Sequence, residues 1–504
     1  MKNITIIGGG ACGVAVYIEL LLQITTLGLT KEVKLTVIEK DDRIGYGLAF
    51  GTDQPGHLLN TQADLMGIHA AEPGHFSDWL KTHGGKARKD VKGKGSTDHT
   101  YTTRKLYGDY VAEQANFYIK KAWEKGVNLD VIHAEAIDLH RDGDAYEVIC
   151  HDGCRIPADF IVLALGTPKP KNYPELCEYP QYIDFPWPSE RIIQKINTDD
   201  HVGILGSSLS AIDAIMTLVD NGHSGKISLF SPDGILPRVQ PEENQSYKRK
   251  FLTIRNIHKI KRESFRNPGI KLIFSMFQQE VEDYYGKPID WKGVNRTGKP
   301  SRPLLNWDIS CAEKGGDAIM SVIYSLRYDA SDMWSLLSID EKERFKKWLS
   351  AYWMINRHAM PLYNAYRLQS LFNEEKLEVF PEFLEVDFEK RSEKFTMRLG
   401  NSENRLVDKL INSTGSSSHL GQMGRTLIDN MMKKEYLSGY PIGGALINER
   451  TMQVVSPKGG EGIYALGHIV NGLLLDVNAV WFNVRTAATL SKDIIFKIKN
   501  GRFS

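Results

Sequence analysis

The chain has 504 residues, with 63 Lys+Arg set against 62 Asp+Glu for a net charge of +1, 42% hydrophobic and 25% charged residues. That length exceeds one simple core and predicts two or three domain-sized units, while the balanced charge excludes a global basic field for nucleic acid or an anionic membrane. Five cysteines without a C-x-x-C pair argue against a disulfide framework and a dithiol redox centre.

The N-terminus reads Met-Lys-Asn and then a strand, without the order of a signal peptide, so the expected location is cytoplasmic. Residues 4–7 form a short β-branched run. It is followed at once by Gly8-Gly9-Gly10-Ala11-Cys12-Gly13 and an apolar helix-length stretch to residue 24, broken by Glu19 and Gln23 and hence no membrane span. Residues 33–38 read as a second strand that ends in Glu39, which closes a βαβ unit. A diphosphate needs bare main-chain N–H donors, so Gly8, Gly10 and Gly13 suit turn, phosphate approach and helix packing, and Glu39 suits the hydroxyls of an adjoining ribose. The interval from Gly10 to Glu39 is longer than the usual ~20 residues, and the long helix with its 25–31 loop accounts for it.

Residues 127–165 read as short strands with turns at Arg141-Asp142-Gly143-Asp144 and His151-Asp152-Gly153, ending at Gly166. The proline-rich stretch 167–187 is a candidate boundary. Beyond it the pattern repeats: strand 201–205, then Gly206-Ser207-Ser208-Leu209-Ser210-Ala211, a helix to residue 219 and a strand at 226–230. Gly206, Ser207, Ser208 and Ser210 offer backbone and hydroxyl donors to a second diphosphate. Asp213 lies on the following helix, where its local reading is a solvent-facing or helix-packing carboxylate. The strand ends in Ser231-Pro232-Asp233, where Asp233 either bonds a ribose hydroxyl or opens an Asp-Gly turn.

Residues 242–372 turn helical, charged and aromatic, strands return at 377–379, 405–412 and 462–466, and a last helix spans 479–497. No metal-ligand spacing and no G-x-S-x-G elbow occurs, which disfavours hydrolysis.

The stretch Gly45-Tyr46-Gly47-Leu48-Ala49-Phe50, then His57-Leu58-Leu59-Asn60, Met66 and Phe76-Ser77-Asp78-Trp79-Leu80, resembles the FAD-NAD(P)-binding family of flavoprotein oxidoreductases, akin to flavin-dependent N-hydroxylating and urate-hydroxylating monooxygenases. The likeness continues at Arg104 with Tyr107-Gly108-Asp109-Tyr110, at 206–213, at Gly234-Ile235-Leu236-Pro237-Arg238, at Trp353, Arg357, His358 and Pro361, and over 462–485. It implies FAD at the first glycine loop and NAD(P)H at the second. The implied class is α/β: a two-dinucleotide-binding-domain flavoprotein, with a Rossmann-like FAD domain, an inserted Rossmann-like NAD(P) domain and a helical insertion. The expected boundaries are 1–170 for the first part of the FAD domain, 190–240 for the NAD(P) unit, 241–375 for a helical cover, and 376–504 for the return to the FAD domain.

The resemblance further implies flavin neighbours at Gly47, Leu59 and Asn60, and at Gly415, Gly467, Asp476 and Ala479 near the C-terminus. Asp476 stands where relatives often carry Glu, and Asn483 departs from another common Glu. Ala11, Cys12, Lys40, Ala136 and Gly166 complete the cofactor-binding set. Arg104 is open between an FAD phosphate and a surface carboxylate, and Arg357 between an ion pair and an anionic ligand. The expected activity is NAD(P)H-driven hydroxylation of a small polar metabolite through a flavin C4a-peroxy adduct. Alternatives are a reductase or dehydrogenase with a protein or quinone acceptor, and a flavin-bound partner protein. The sequence assigns no catalytic side chain, with His358 as general base only one hypothesis, and it leaves the oligomeric state open.

Overall fold

The computed structural model describes residues 1–83, 91–92, 97–143, 145–243, 246–458 and 460–501. Strand β1 (Lys2–Ile7) runs into helix α1 (Ala11–Thr26), and strand β2 (Val33–Glu39) pairs parallel to β1. Ile4, Ile6 and Thr5 are fully buried, because a parallel strand is covered on both faces and therefore reads as a continuous apolar run. Helix α2 (Arg104–Glu124) leads to β3 (Asn128–His133), and β4 (Phe160–Leu163) closes on the other side of β1. Between β3 and β4 lies a three-stranded antiparallel sheet of Ala136–Asp142, Ala145–Cys150 and Arg155–Ala158. Its two turns hold Gly143 and Gly153 at φ +60° and +85°; Asp144 lies outside the described residues.

The second unit repeats this plan. Strands β5 (Tyr182–Ile183), β6 (Val202–Leu205), β7 (Ile227–Phe230), β8 (Leu377–Phe380) and β9 (Lys409–Asn412) form a parallel sheet in the order β5-β9-β6-β7-β8. Helix α3 (Leu209–Asp220) follows β6 as α1 follows β1. Strands Phe383–Glu389, Lys394–Leu399 and Asn404–Val407 form the antiparallel sheet between β8 and β9.

Three boundaries shift as a result. The second unit begins inside the proline-rich stretch, at β5. The expected single strand at 405–412 is two strands, one antiparallel and one parallel, with Asp408 between them. Residues 377–412 belong to the second unit and not to a return of the first, because β8 pairs with β7 and β9 with β6. The chain returns to the first unit after Gly415: helix Thr426–Lys433 packs on the first antiparallel sheet, where Asn430 Nδ2 donates to Ile137 O over 2.9 Å. Strand β10 (Ile463–Ala465) joins β4, and the last helix packs on α1.

The helical region is inserted between β7 and β8. Its helix α4 (Ser350–Arg357) is followed by Leu362–Asn373, whose Ala365 and Leu368 complete the core of the second sheet. The same region lies over the returning first unit: Trp334 Nε1 donates to Gly472 O and Leu473 O at 3.1 and 3.0 Å, and Lys346 Nζ to Ile442 O at 3.0 Å.

Candidate functional site

The first glycine loop is shaped by main-chain crowding. A methyl group on Gly8, at φ +110°, would strike the carbonyl of Ala164, and one on Gly13 would strike the carbonyl of Gly8 itself. Gly8 N donates to Ile38 O at 2.8 Å, so the turn is pinned to the end of β2. Gly10 is the N-cap of α1, which has no side-chain cap and no acid in its first turn. Its first N–H groups and the positive end of its dipole are therefore left for an anion.

Glu39 is buried at the end of β2, where Oε2 accepts from Gly9 N at 2.6 Å and Oε1 from Asp41 N at 3.1 Å. The carboxylate thereby fixes the loop it was expected to serve, and Gly9, passed over in the sequence, is its direct partner. Gly45 N donates to Gly9 O at 2.7 Å, and a methyl on Gly47 would lie 3.3 Å from Gly10 Cα. Gly47 thus faces Gly10 across the loop. Gly45 was missed, although its φ of +99° beside the α2 backbone admits no side chain.

Cys12 sits on the first turn of α1 with its thiol pushed up to about 12 by burial, and a methyl on Gly467 would lie 3.6 Å from its sulfur. The structure therefore brings Gly8, Gly10, Ala11, Cys12, Gly13, Glu39, Gly47 and Gly467 together. Gly166 follows the Ala164 contact at φ +68°. Ala134 N donates to Glu39 O at 3.0 Å, which places Ala136 two residues from that strand end. Lys40 is exposed.

The second loop copies the first. Gly206 has φ +101°, its N donates to Phe230 O at 2.7 Å, and a methyl there would lie 2.7 Å from Ser413 O. Ser208 is the N-cap of α3 without a side-chain cap bond, and the first turn carries no acid. Ser207 departs from expectation: its hydroxyl donates to Ile235 O at 2.8 Å and lies 3.0 Å from Ser231 Oγ, whose own hydroxyl can donate back, so its one proton is taken within the protein. Ser210 is partly exposed on the first turn, and Gly234 at φ +63° shows that Asp233 does open an Asp-Gly turn.

Of the two kinds of partner open to it, Arg104 meets a carboxylate, but not one at the surface. Its Nη2 lies 2.7 Å from Asp213 Oδ2 and its Nε donates to Leu58 O at 3.3 Å, so the carboxylate it meets is buried, on α3 of the other unit. Burial outweighs the pull of the guanidinium and raises Asp213 to about 6. Around this pair, His57 Nε2 bonds Asp213 O and Thr217 Oγ1, both at 2.9 Å, and burial holds the imidazole down at about 3, hence neutral. Gly56 N donates to Asp220 Oδ2 at 2.7 Å, and Asn60 O accepts from Gln240 Nε2 at 2.8 Å. Leu59 is buried in the same loop. The Leu59-Asn60 loop therefore latches the two units together, a role for which the sequence carried no local signal.

Near the C-terminus, Gly415 has φ +84° with open space at its α-carbon, and Ala479 is the N-cap of α5 (Val480–Asn500), again without a side-chain cap or first-turn acid. Asp476 is buried, with Oδ1 3.3 Å from Arg357 Nη2. The guanidinium of Arg357 lies 5.9 Å from the ring centre of Trp481. His358 is held down at about 3 by burial and by Arg357, a base too weak for the general-base role considered for it. Sequence reasoning missed Arg327 and Trp481, whose Nε and Nε1 are buried without hydrogen-bond partners among the described residues.

These features fit FAD at the first loop: an uncapped helix start, a glycine-to-glycine gap at Gly10 and Gly47, and a buried carboxylate at the β2 end. The FAD-NAD(P)-binding family model matches residues 5–168. No curated protein matches the sequence. Among solved structures, the chain is similar to ornithine hydroxylase from Pseudomonas aeruginosa, at 14% identity over 98% of this chain and 99% of that one, with a TM-score of 0.56. L-lysine 6-monooxygenase from Pseudomonas syringae gives 12%, 98%, 99% and 0.58. Ornithine N-hydroxylase from Kutzneria sp. 744, described with reduced FAD, NADP+ and L-ornithine, gives 12%, 100%, 100% and 0.50. At such identities the likeness shows a shared fold, that of two-dinucleotide flavoproteins. Residues 5–168 are an FAD-NAD(P)-binding domain, the first of two Rossmann-like units in the chain.

Proposed function

We propose that the protein is an FAD-dependent oxidoreductase that takes reducing equivalents from NAD(P)H and hydroxylates a small polar metabolite. The observation that carries this reading is the buried polar group of Arg357, Asp476, Arg327 and Trp481, which lies where the helical insertion meets the start of α5. It supplies charged and hydrogen-bonding atoms in a place from which water is excluded.

FAD, when bound, supplies hydride acceptance and oxygen activation. The chain's own residues bind and orient. The amides of Gly10 to Gly13 meet the diphosphate, Glu39 the ribose hydroxyls, and the uncapped start of α5 at Ala479 favours negative charge on the ring. Gly206, Ser208 and Ser210 serve the nicotinamide dinucleotide, and the Arg104–Asp213 pair holds the two units in one relation. A dithiol route to a protein acceptor has less support. The five cysteines are free, and Cys12, the one beside the glycine loop, carries a thiol pushed up to about 12.

Anaerobic mixing of FAD-loaded protein with NADH and with NADPH, followed by isotope-labelled oxygen and a pool of small polar metabolites, tests the reading. Bleaching of the flavin and one labelled oxygen atom in a product are expected. Bleaching with every electron recovered as peroxide sinks the hydroxylase, and no bleaching by either nicotinamide sinks the oxidoreductase.

A further inference from the structure

Arg357 ends α4 in the helical insertion and reaches into the first unit. Its side chain is one-tenth exposed, yet among the described residues Nε and Nη2 both lack a hydrogen-bond partner. Asp476 Oδ1 neutralises the charge at 3.3 Å but misses the geometry of a hydrogen bond to Nη2, and Asp476 Oδ2 is itself buried and unpartnered. The two bare donors are not scattered. In a guanidinium, Nε–H and Nη2–H lie on one edge and point the same way, which is the fork that grips a carboxylate through two parallel hydrogen bonds.

A second guanidinium lies close by. Arg327 is buried beside this group, close enough to act electrostatically on both Arg357 and Asp476, and its own Nε is bare while its guanidinium stacks on Tyr324 at 4.0 Å. Asp64 acts on Arg327 as well, so two carboxylates balance the two guanidinium groups, and what this buried place lacks is hydrogen-bond partners for the bare donors among the described residues. A charge taken from water without a full partner set is costly, so the arrangement suits a ligand that completes it.

We propose that Arg357 is the carboxylate receptor of the substrate site, and that the metabolite this protein acts on is a small organic carboxylate gripped side-on by Nε and Nη2. Arg327 supplies the second positive charge, and Asp476 Oδ2 accepts a donor from the same ligand. This rests on the proposed function and names its substrate class.

The test uses FAD-loaded wild type, Arg357→Lys and Arg357→Met, titrated with benzoate, acetate and pyruvate at constant ionic strength with chloride as control. Binding is read from the flavin absorption spectrum and by calorimetry. The expected result is saturable binding of at least one of these carboxylates to wild type, about tenfold weaker in Arg357→Lys, which keeps the charge beside Asp476 but loses the fork, and at least a hundredfold weaker in Arg357→Met. Flavin content stays equal in all three. Wild type indifferent to all three carboxylates, or Arg357→Met binding as wild type does, overturns the proposal. So does loss of flavin or an altered flavin spectrum in Arg357→Lys without added carboxylate, which assigns the fork to the cofactor. Calorimetry reads carboxylate binding without flavin chemistry, so a protein that binds carboxylates yet is not reduced by nicotinamide fails the proposed function and not this inference.

Discussion

Replacing Gly13 with Ala adds one methyl group where α1 crosses the end of β1. Its carbon would lie 2.9 Å from the carbonyl carbon of Gly8 and closer still to the oxygen, and both are main chain. Restoring ordinary contact at 3.4 Å moves the helix by at least about 0.5 Å, and by more than about 1 Å to clear the oxygen. The helix has no free direction in which to move, since Val14, Ala15, Val16, Tyr17 and Ile18 are fully buried on it. Overpacking of this kind costs about 1–3 kcal/mol of stability. The same shift carries the amides of residues 10–13 away from the diphosphate. Losing one hydrogen bond to a charged group, about 1.5–3 kcal/mol, weakens FAD binding roughly ten- to a hundredfold. Titration of flavin-free protein with FAD, followed by fluorescence quenching, reads the affinity, and a thermal melt reads stability. Gly421→Ala is the control, an exposed position with open space at its α-carbon. A Gly13→Ala protein that melts with wild type and binds FAD within about twofold of it would refute the packing argument.

Breaking the inter-unit pair by Arg104→Met alone strands a buried carboxylate and costs about 3–5 kcal/mol, while pairing it with Asp213→Leu costs clearly less than the sum of the two single changes; additive urea-unfolding energies would count against the latch. Asp213 has a folded value of about 6 against an ordinary 3.8, so the native state holds its proton more tightly. Its contribution to stability is therefore full below about pH 4 and lost as pH rises through about 6, a fall on the order of 3 kcal/mol that Asp213→Asn lacks when unfolding is followed across that range. Cys12, with its thiol pushed up to about 12, is alkylated by iodoacetamide far more slowly than the exposed Cys154 and Cys177, as peptide mass spectrometry would show.

Both dinucleotide loops were legible in the sequence because their signal is local. A β-branched run, a glycine turn and an apolar helix follow one another within about twenty residues, and the roles of Gly8, Gly13 and Gly206 come from main-chain collisions that only glycine avoids. Glu39 was legible for the same reason, as the residue that ends the second strand.

The tertiary structure decided what depends on chain brought from far away. Strands at 377–412 look alike whichever sheet they join, and only their pairing with β6 and β7 assigns them to the second unit. Arg104 meets Asp213, and Arg357 meets Asp476, across more than a hundred residues of sequence, and an ion pair carries no periodicity that could announce its partner. Ser207 looked like a ligand donor until the Ser231–Ile235 turn folded onto its hydroxyl. Backbone geometry is written residue by residue, whereas the partners of a buried charge are fixed only when separate elements close around it.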